Sequence, residues 1–135
     1  MITKYQHPDY VCLDESELRL AAQERFGEIR EIARKIAQAI NADNLMVTLG
    51  KKGSFGVSRN GASNHTPIFS AKVVDTVGAG DAFFAFTAPC FAKQLPLDVV
   101  SFVGNAVGAL AVQIVGNQRP VEKFELLEFM HALLR

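Results

Sequence analysis

Two short β-prone runs, Tyr10 to Leu13 and Leu45 to Gly50, bracket a stretch with helical periodicity, and this strand-helix-strand order is what most constrains the fold. Asp14 follows the first run and suits an N-cap, with Glu17 three residues on as its capping-box partner, so a strand feeds directly into a helix. From Ile29, the apolar residues Ile32, Ala33, Ile36, Ala37 and Ile40 recur at helical spacing, with Arg30, Glu31, Arg34, Lys35 and Gln38 on the other side. That pattern predicts an amphipathic helix ending near Asn41 and separated from the first helix at Gly27. SFGVSR followed by NGAS and NHTPIF predicts a hairpin turning at Asn60-Gly61.

The pattern then changes. AGDAFFAFTAPCFAK is apolar on nearly every side, as a fully buried helix would be, with Pro89 kinking it or ending its regular part. A second apolar helix starts at Pro96 or Leu97 and runs to about Val115. A closing amphipathic helix over 121–134 sets Phe124, Leu127, Met130 or His131, and Leu134 on one face. Strand-helix-strand, hairpin, then helices predicts an α/β layered domain with a mixed sheet flanked by helices. A length of 135 residues, 49% of them hydrophobic, fits one domain with a sizeable core.

Charge narrows the function classes. The chain carries 14 Lys plus Arg against 14 Asp plus Glu and no basic tract, so the footprint of a nucleic-acid binder or of a protein held on anionic lipid is missing. The uncharged stretch Val99 to Gln118 is interrupted by Ser101, Gly104, Asn105, Gly108, Gln113 and Gly116, which suits close packing better than a membrane span. Cys12 and Cys90 have no close-spaced partners and are expected as small core residues in a reducing, cytoplasmic setting. His7, His65 and His131 form no metal-ligand spacing.

The chemistry concentrates in Val73-Val74-Asp75-Thr76-Val77-Gly78-Ala79-Gly80-Asp81-Ala82-Phe83-Phe84. A β-branched run ends in a small-residue loop that opens a helix, and such a helix start offers unpaired N–H groups and positive dipole charge to an anion. Gly78 and Gly80 let a phosphate approach the backbone. Asp81 is a carboxylate in the first turn of an apolar helix with no basic residue between Lys72 and Lys93; helix capping is its simplest use. The stretch is not a Walker A loop, because no Lys follows the glycines at the required place. Nor is it a dinucleotide fingerprint, because Phe83 stands where a third Gly or Ala is needed.

D-T-V-G-A-G-D-A-F resembles the C-terminal signature of the ribokinase-like (PfkB) carbohydrate kinases, and other stretches match in the family's order. Thr48-Leu49-Gly50-Lys51-Lys52-Gly53 resembles the family's T-L-G-x-x-G nucleotide loop. Asp14-Glu15-Ser16-Glu17 resembles its N-x-x-E motif near magnesium, with Asp14 replacing the usual Asn by an acceptor-only anion. Gly104-Asn105-Ala106 through Gly116 resembles the helix and loop beside the adenine, and is similar to bacterial heptose-phosphate kinases, some of which are fused to a nucleotidyltransferase domain. The match spans the second half of such a kinase; the N-terminal half, with its Gly-Gly substrate motif and β-sheet lid, has no counterpart in these residues.

The resemblance implies roles. Asp81 would be the catalytic base that accepts the sugar hydroxyl's proton, and the amides of Ala79, Gly80 and Asp81, shaped by Gly78, would hold charge developing on the transferred phosphoryl. Thr48, Gly50 and Gly53 would line the nucleotide phosphates, against an ordinary Gly turn as the simpler account; Asn105 would lie beside the adenine or satisfy a packed helix. Glu17 would organise magnesium-bound waters, and Asp75 would sit at a monovalent-cation site such as one for K+, or cap its loop. The implied function is ATP- and Mg2+-dependent phosphorylation of a sugar or sugar phosphate, with self-association through faces that the missing half would cover. A non-catalytic nucleotide-binding or interaction module is the alternative class.

Overall fold

The structure, a computed structural model, describes residues 8–69, 79–111 and 120–134. The chain divides into two compact units, Met1–Thr66 and Pro67–Arg135.

In the first unit, β1 (Tyr10–Asp14) leads into α1 (Glu15–Ala22) and α2 (Ile29–Ala39), then β2 (Asn44–Thr48), β3 (Ser54–Ser58) and β4 (Ser63–Thr66). The described strands form one mixed sheet in the order β1-β2-β3-β4. β1 pairs parallel to β2 across the helical crossover, and β2, β3 and β4 form an antiparallel meander. Alternation along the strands sends Val11, Leu13, Leu45, Val47, Phe55 and Val57 toward the helices, where they meet Leu18, Ile32, Ala33, Ile36 and Ile40 in one core. Met46, of opposite parity, is also fully buried, so both faces of β2 are covered.

The helix ends follow local chemistry. Asp14 caps α1, its Oδ1 accepting the Glu17 N–H at 2.7 Å. α2 stops where Asn41 turns left-handed (φ 56°) and the Ala42 N–H reaches back to the Ala37 carbonyl at 3.0 Å. Asn60-Gly61 turns the hairpin, with Gly61 at φ 92°.

In the second unit, α3 (Ala79–Ala92), α4 (Leu97–Ala111) and α5 (Lys123–Leu133) pack together around Ala106, Val107, Ala111, Val121 and Leu126. Several expectations are corrected here. α3 is not buried all round: Phe83 and Thr87 are buried, while Phe84 and Ala85 are exposed, because among the described residues α4 covers one face only. Of the two alternatives expected at Pro89, a kink or an end, the end is excluded, since the helix continues to Ala92. In α5 the buried residue is Leu126, with Phe129 and Met130 half-buried beside it, whereas Phe124, Leu127 and Leu134 are exposed. The end of the second apolar helix beyond Ala111 lies outside the described residues. No helix among them is long and apolar enough to cross a membrane. Cys12 and Cys90 are half-buried free thiols and not full core residues.

Candidate functional site

Sheet register brings the expected metal-side and phosphate-side residues of the first unit together. Asp14, the last residue of β1, pairs with Thr48, the last of β2. The carboxyl ends of two parallel strands therefore lie side by side, the place where open α/β sheets take ligands. From β1 the chain turns into α1, placing Glu17 in the first turn; from β2 it enters the Gly50–Lys52 3-10 turn. Glu17 is exposed, yet its carboxyl is pushed above the usual carboxylate range, by desolvation first and then by the Asp14 side chain, while the Asp14 backbone N–H pulls it back.

The Thr48–Gly53 loop is a tight hairpin connection. The Leu49 N–H donates to the Gly53 carbonyl at 2.8 Å, the Lys52 N–H to the Leu49 carbonyl at 3.2 Å, and the Gly53 N–H to the Gly50 carbonyl at 3.1 Å. His65 Nε2 stands 3.0 Å from the Lys52 carbonyl and ties the loop to β4. Gly50 (φ 60°) and Gly53 (φ 90°) adopt backbone that side chains disfavour, so the turn alone accounts for both. A Cβ at Gly50 would meet nothing within 4 Å, so the loop's outer side is open. Lys51 and Lys52 are exposed on it, two cations that the motif's variable positions gave no reason to single out.

In the second unit, Asp81 stands exposed in the first turn of α3. Among the described residues, a Cβ at Gly80 would meet nothing within 4 Å, so no packing among them requires this glycine. Asn105 is buried in α4, its Nδ2 donating to the Ser101 carbonyl at 2.7 Å, as a packed-helix role requires. Gly78 and Asp75 lie outside the described residues. Among those described, no three His, Cys, Asp or Glu side chains converge as a metal cluster.

The family model of the pfkB family carbohydrate kinases matches residues 2–123. The chain belongs to that family. It is 38% identical over 119 residues to "Uncharacterized sugar kinase YegV" of Escherichia coli (strain K12), covering 87% of this chain and 36% of that one. It is 33% identical over 123 residues to "Bifunctional protein HldE" of Syntrophotalea carbinolica, covering 90% of this chain and 23% of that one. The pfkB chain thus spans 36% of the first relative and 23% of the second.

Two solved structures place the fold. Phosphofructokinase-2 from Escherichia coli in complex with potassium superposes with a TM-score of 0.85 at 22% identity, over 96% of this chain and 42% of that one. Arabidopsis thaliana ribokinase complexed with ribose and ATP gives 0.76 at 25% identity, over 90% and 40%. The layered, ribokinase-like α/β fold expected from the sequence is the observed one.

Proposed function

We propose that these residues form the C-terminal, nucleotide-binding part of an ATP-dependent sugar or sugar-phosphate kinase, with the substrate and lid half lying outside this sequence. The observation that carries the reading is the side-by-side placement of Asp14 and Thr48, which sets the acidic start of α1 beside an open Gly-Lys-Lys-Gly loop at one sheet end. ATP with Mg2+ supplies a transferable phosphoryl group and neutralises its charge. Lys51 and Lys52 draw the polyphosphate toward the loop, Thr48 and Gly50 line it while Gly53 shapes the turn, and Glu17 orders water around the metal. Asn105 borders the adenine, and Asp75 serves a monovalent cation such as K+.

Asp81 accepts the proton of the acceptor hydroxyl, and the amides of Ala79, Gly80 and Asp81, with Gly78 shaping the approach, face the negative charge that grows on the phosphoryl oxygens. This chain alone binds MgATP weakly and transfers nothing to sugar, because an in-line acceptor must be held and shielded from water, and such positioning can be worth about 7–11 kcal/mol of barrier.

Calorimetry with MgATP on this chain tests the nucleotide half; no heat at millimolar ATP would count against it. In the full-length kinase, Asp81→Asn is expected to keep the fold and MgATP affinity while lowering kcat by roughly two to four orders of magnitude. Near-normal turnover would return Asp81 to helix capping.

A further inference from the structure

α3 carries Asp81 and, among the described residues, is covered along one stripe only. Its buried side chains among those described are Phe83, 4% exposed, and Thr87, 0% exposed, one helical turn apart. Gly104 of α4 faces them. A Cβ at Gly104 would lie 2.5 Å from Cε2 and Cζ of the Phe83 ring and 2.9 Å from the Thr87 methyl, so the ring fills the space a side chain would take. This is a specific notch and not a general run of small residues: at Gly108, one turn on, a Cβ would meet nothing within 4 Å. Thr87 Oγ1 donates to the Phe83 carbonyl at 2.8 Å and ties the two notch-facing residues together.

We infer that Gly104 is a positioning residue for Asp81, acting through Phe83. Successive residues turn by about 100° in a helix, so Asp81 lies about 200° round α3 from Phe83. Seating the ring in the notch turns the carboxylate outward, where Asp81 is exposed. The same contact sets how far α3 slides along α4, and a close-packed contact of this kind shifts between discrete seatings instead of yielding gradually. Catalysis is sensitive to such shifts, since a displacement of about 1 Å can cost about a hundredfold in rate. The inference rests on the reading of Asp81 as the base.

The test uses the full-length kinase. Gly104→Ala drives a methyl into the ring and is expected to lower kcat by roughly 10- to 100-fold, leaving MgATP affinity within about threefold. The compensated variant Phe83→Leu/Thr87→Ser/Gly104→Ala removes the ring and the methyl that the new Cβ meets. It is expected to regain at least about tenfold of the lost kcat, which general damage to the helix pair would not. If Gly104→Ala fails to fold, Phe83→Leu/Thr87→Ser, which empties the notch, is expected to show the same kcat loss, reversed by adding Gly104→Ala. A kcat that stays near wild type in Gly104→Ala or, where that variant does not fold, in Phe83→Leu/Thr87→Ser, or a loss that compensation does not repair, overturns the inference. Asp81→Asn is assayed alongside: if it is inactive while Gly104→Ala is normal, the notch fails and the base stands. If Asp81→Asn turns over normally, the base reading fails and the notch with it.

Discussion

Leu18→Ala and Leu20→Ala delete the same atoms from the same helix two residues apart, and the structure separates their consequences. Leu18 is 0% exposed and sits in the core with Val11, Leu13, Ile32, Ile36 and Leu45, whereas Leu20 is 77% exposed. Both changes alter helix propensity equally, so the difference isolates burial. At Leu18 the lost transfer energy adds to a cavity that close-packed neighbours fill only in part, for a cost of about 3 kcal/mol. At Leu20 the expected change is within about 0.5 kcal/mol. Domains of this size are stable by about 5–15 kcal/mol, so the first substitution removes about a fifth to three fifths of the total. With an unfolding entropy of about 2.1 cal/mol/K per residue, it lowers Tm by roughly 10 °C and the second by roughly 2 °C or less. Urea titration followed by far-UV circular dichroism reads both, the chain having no Trp. Equal losses for the two variants, or a Leu18→Ala loss under about 1 kcal/mol, would refute the argument.

Three further outcomes follow from titratable groups. Burial pushes the Cys12 thiol up to about 11, so in the folded chain near pH 8 Cys12 should react with a disulfide reagent much more slowly than Cys90, and the gap should close in concentrated urea. Because the folded value lies above the ordinary 9.0, the stability linked to Cys12 is complete below about pH 9 and is lost as pH rises toward 11; a Cys12→Ala chain whose stability falls as steeply over that window would contradict this. Glu17, also raised in the fold, contributes stability that is present below its ordinary value and lost as pH rises through the folded one. Relative to wild type, Glu17→Gln should therefore gain Tm as pH is raised from about 4 toward neutrality; a pH-independent difference would sink this account.

Where a segment's structure depends on its own residues, the sequence determined it. Asp14 caps α1 because its carboxylate reaches the Glu17 amide three residues away. α2 buries Ile32, Ala33, Ile36 and Ile40 because only one side of its 3.6-residue period is apolar. The hairpin turns at Asn60-Gly61 because that pair tolerates left-handed backbone. Family membership was likewise legible, since D-T-V-G-A-G-D-A-F is contiguous.

Tertiary structure decided what no local pattern ranks. α5 with its C-cap residue carries two apolar stripes of similar character, Phe124, Leu127 and Leu134 on one and Leu126, Phe129 and Met130 on the other, and contact within the helical unit selects the second. α3 is apolar on nearly every side, so periodicity could not say that Phe83 and Thr87 alone among its described side chains would be buried. The pairing of Asp14 with Thr48 and the seating of Phe83 against Gly104 join residues 34 and 21 positions apart. Such contacts are set by strand register and by the steric fit between helices, and both are properties of two segments at once that exist only after each has found its partner.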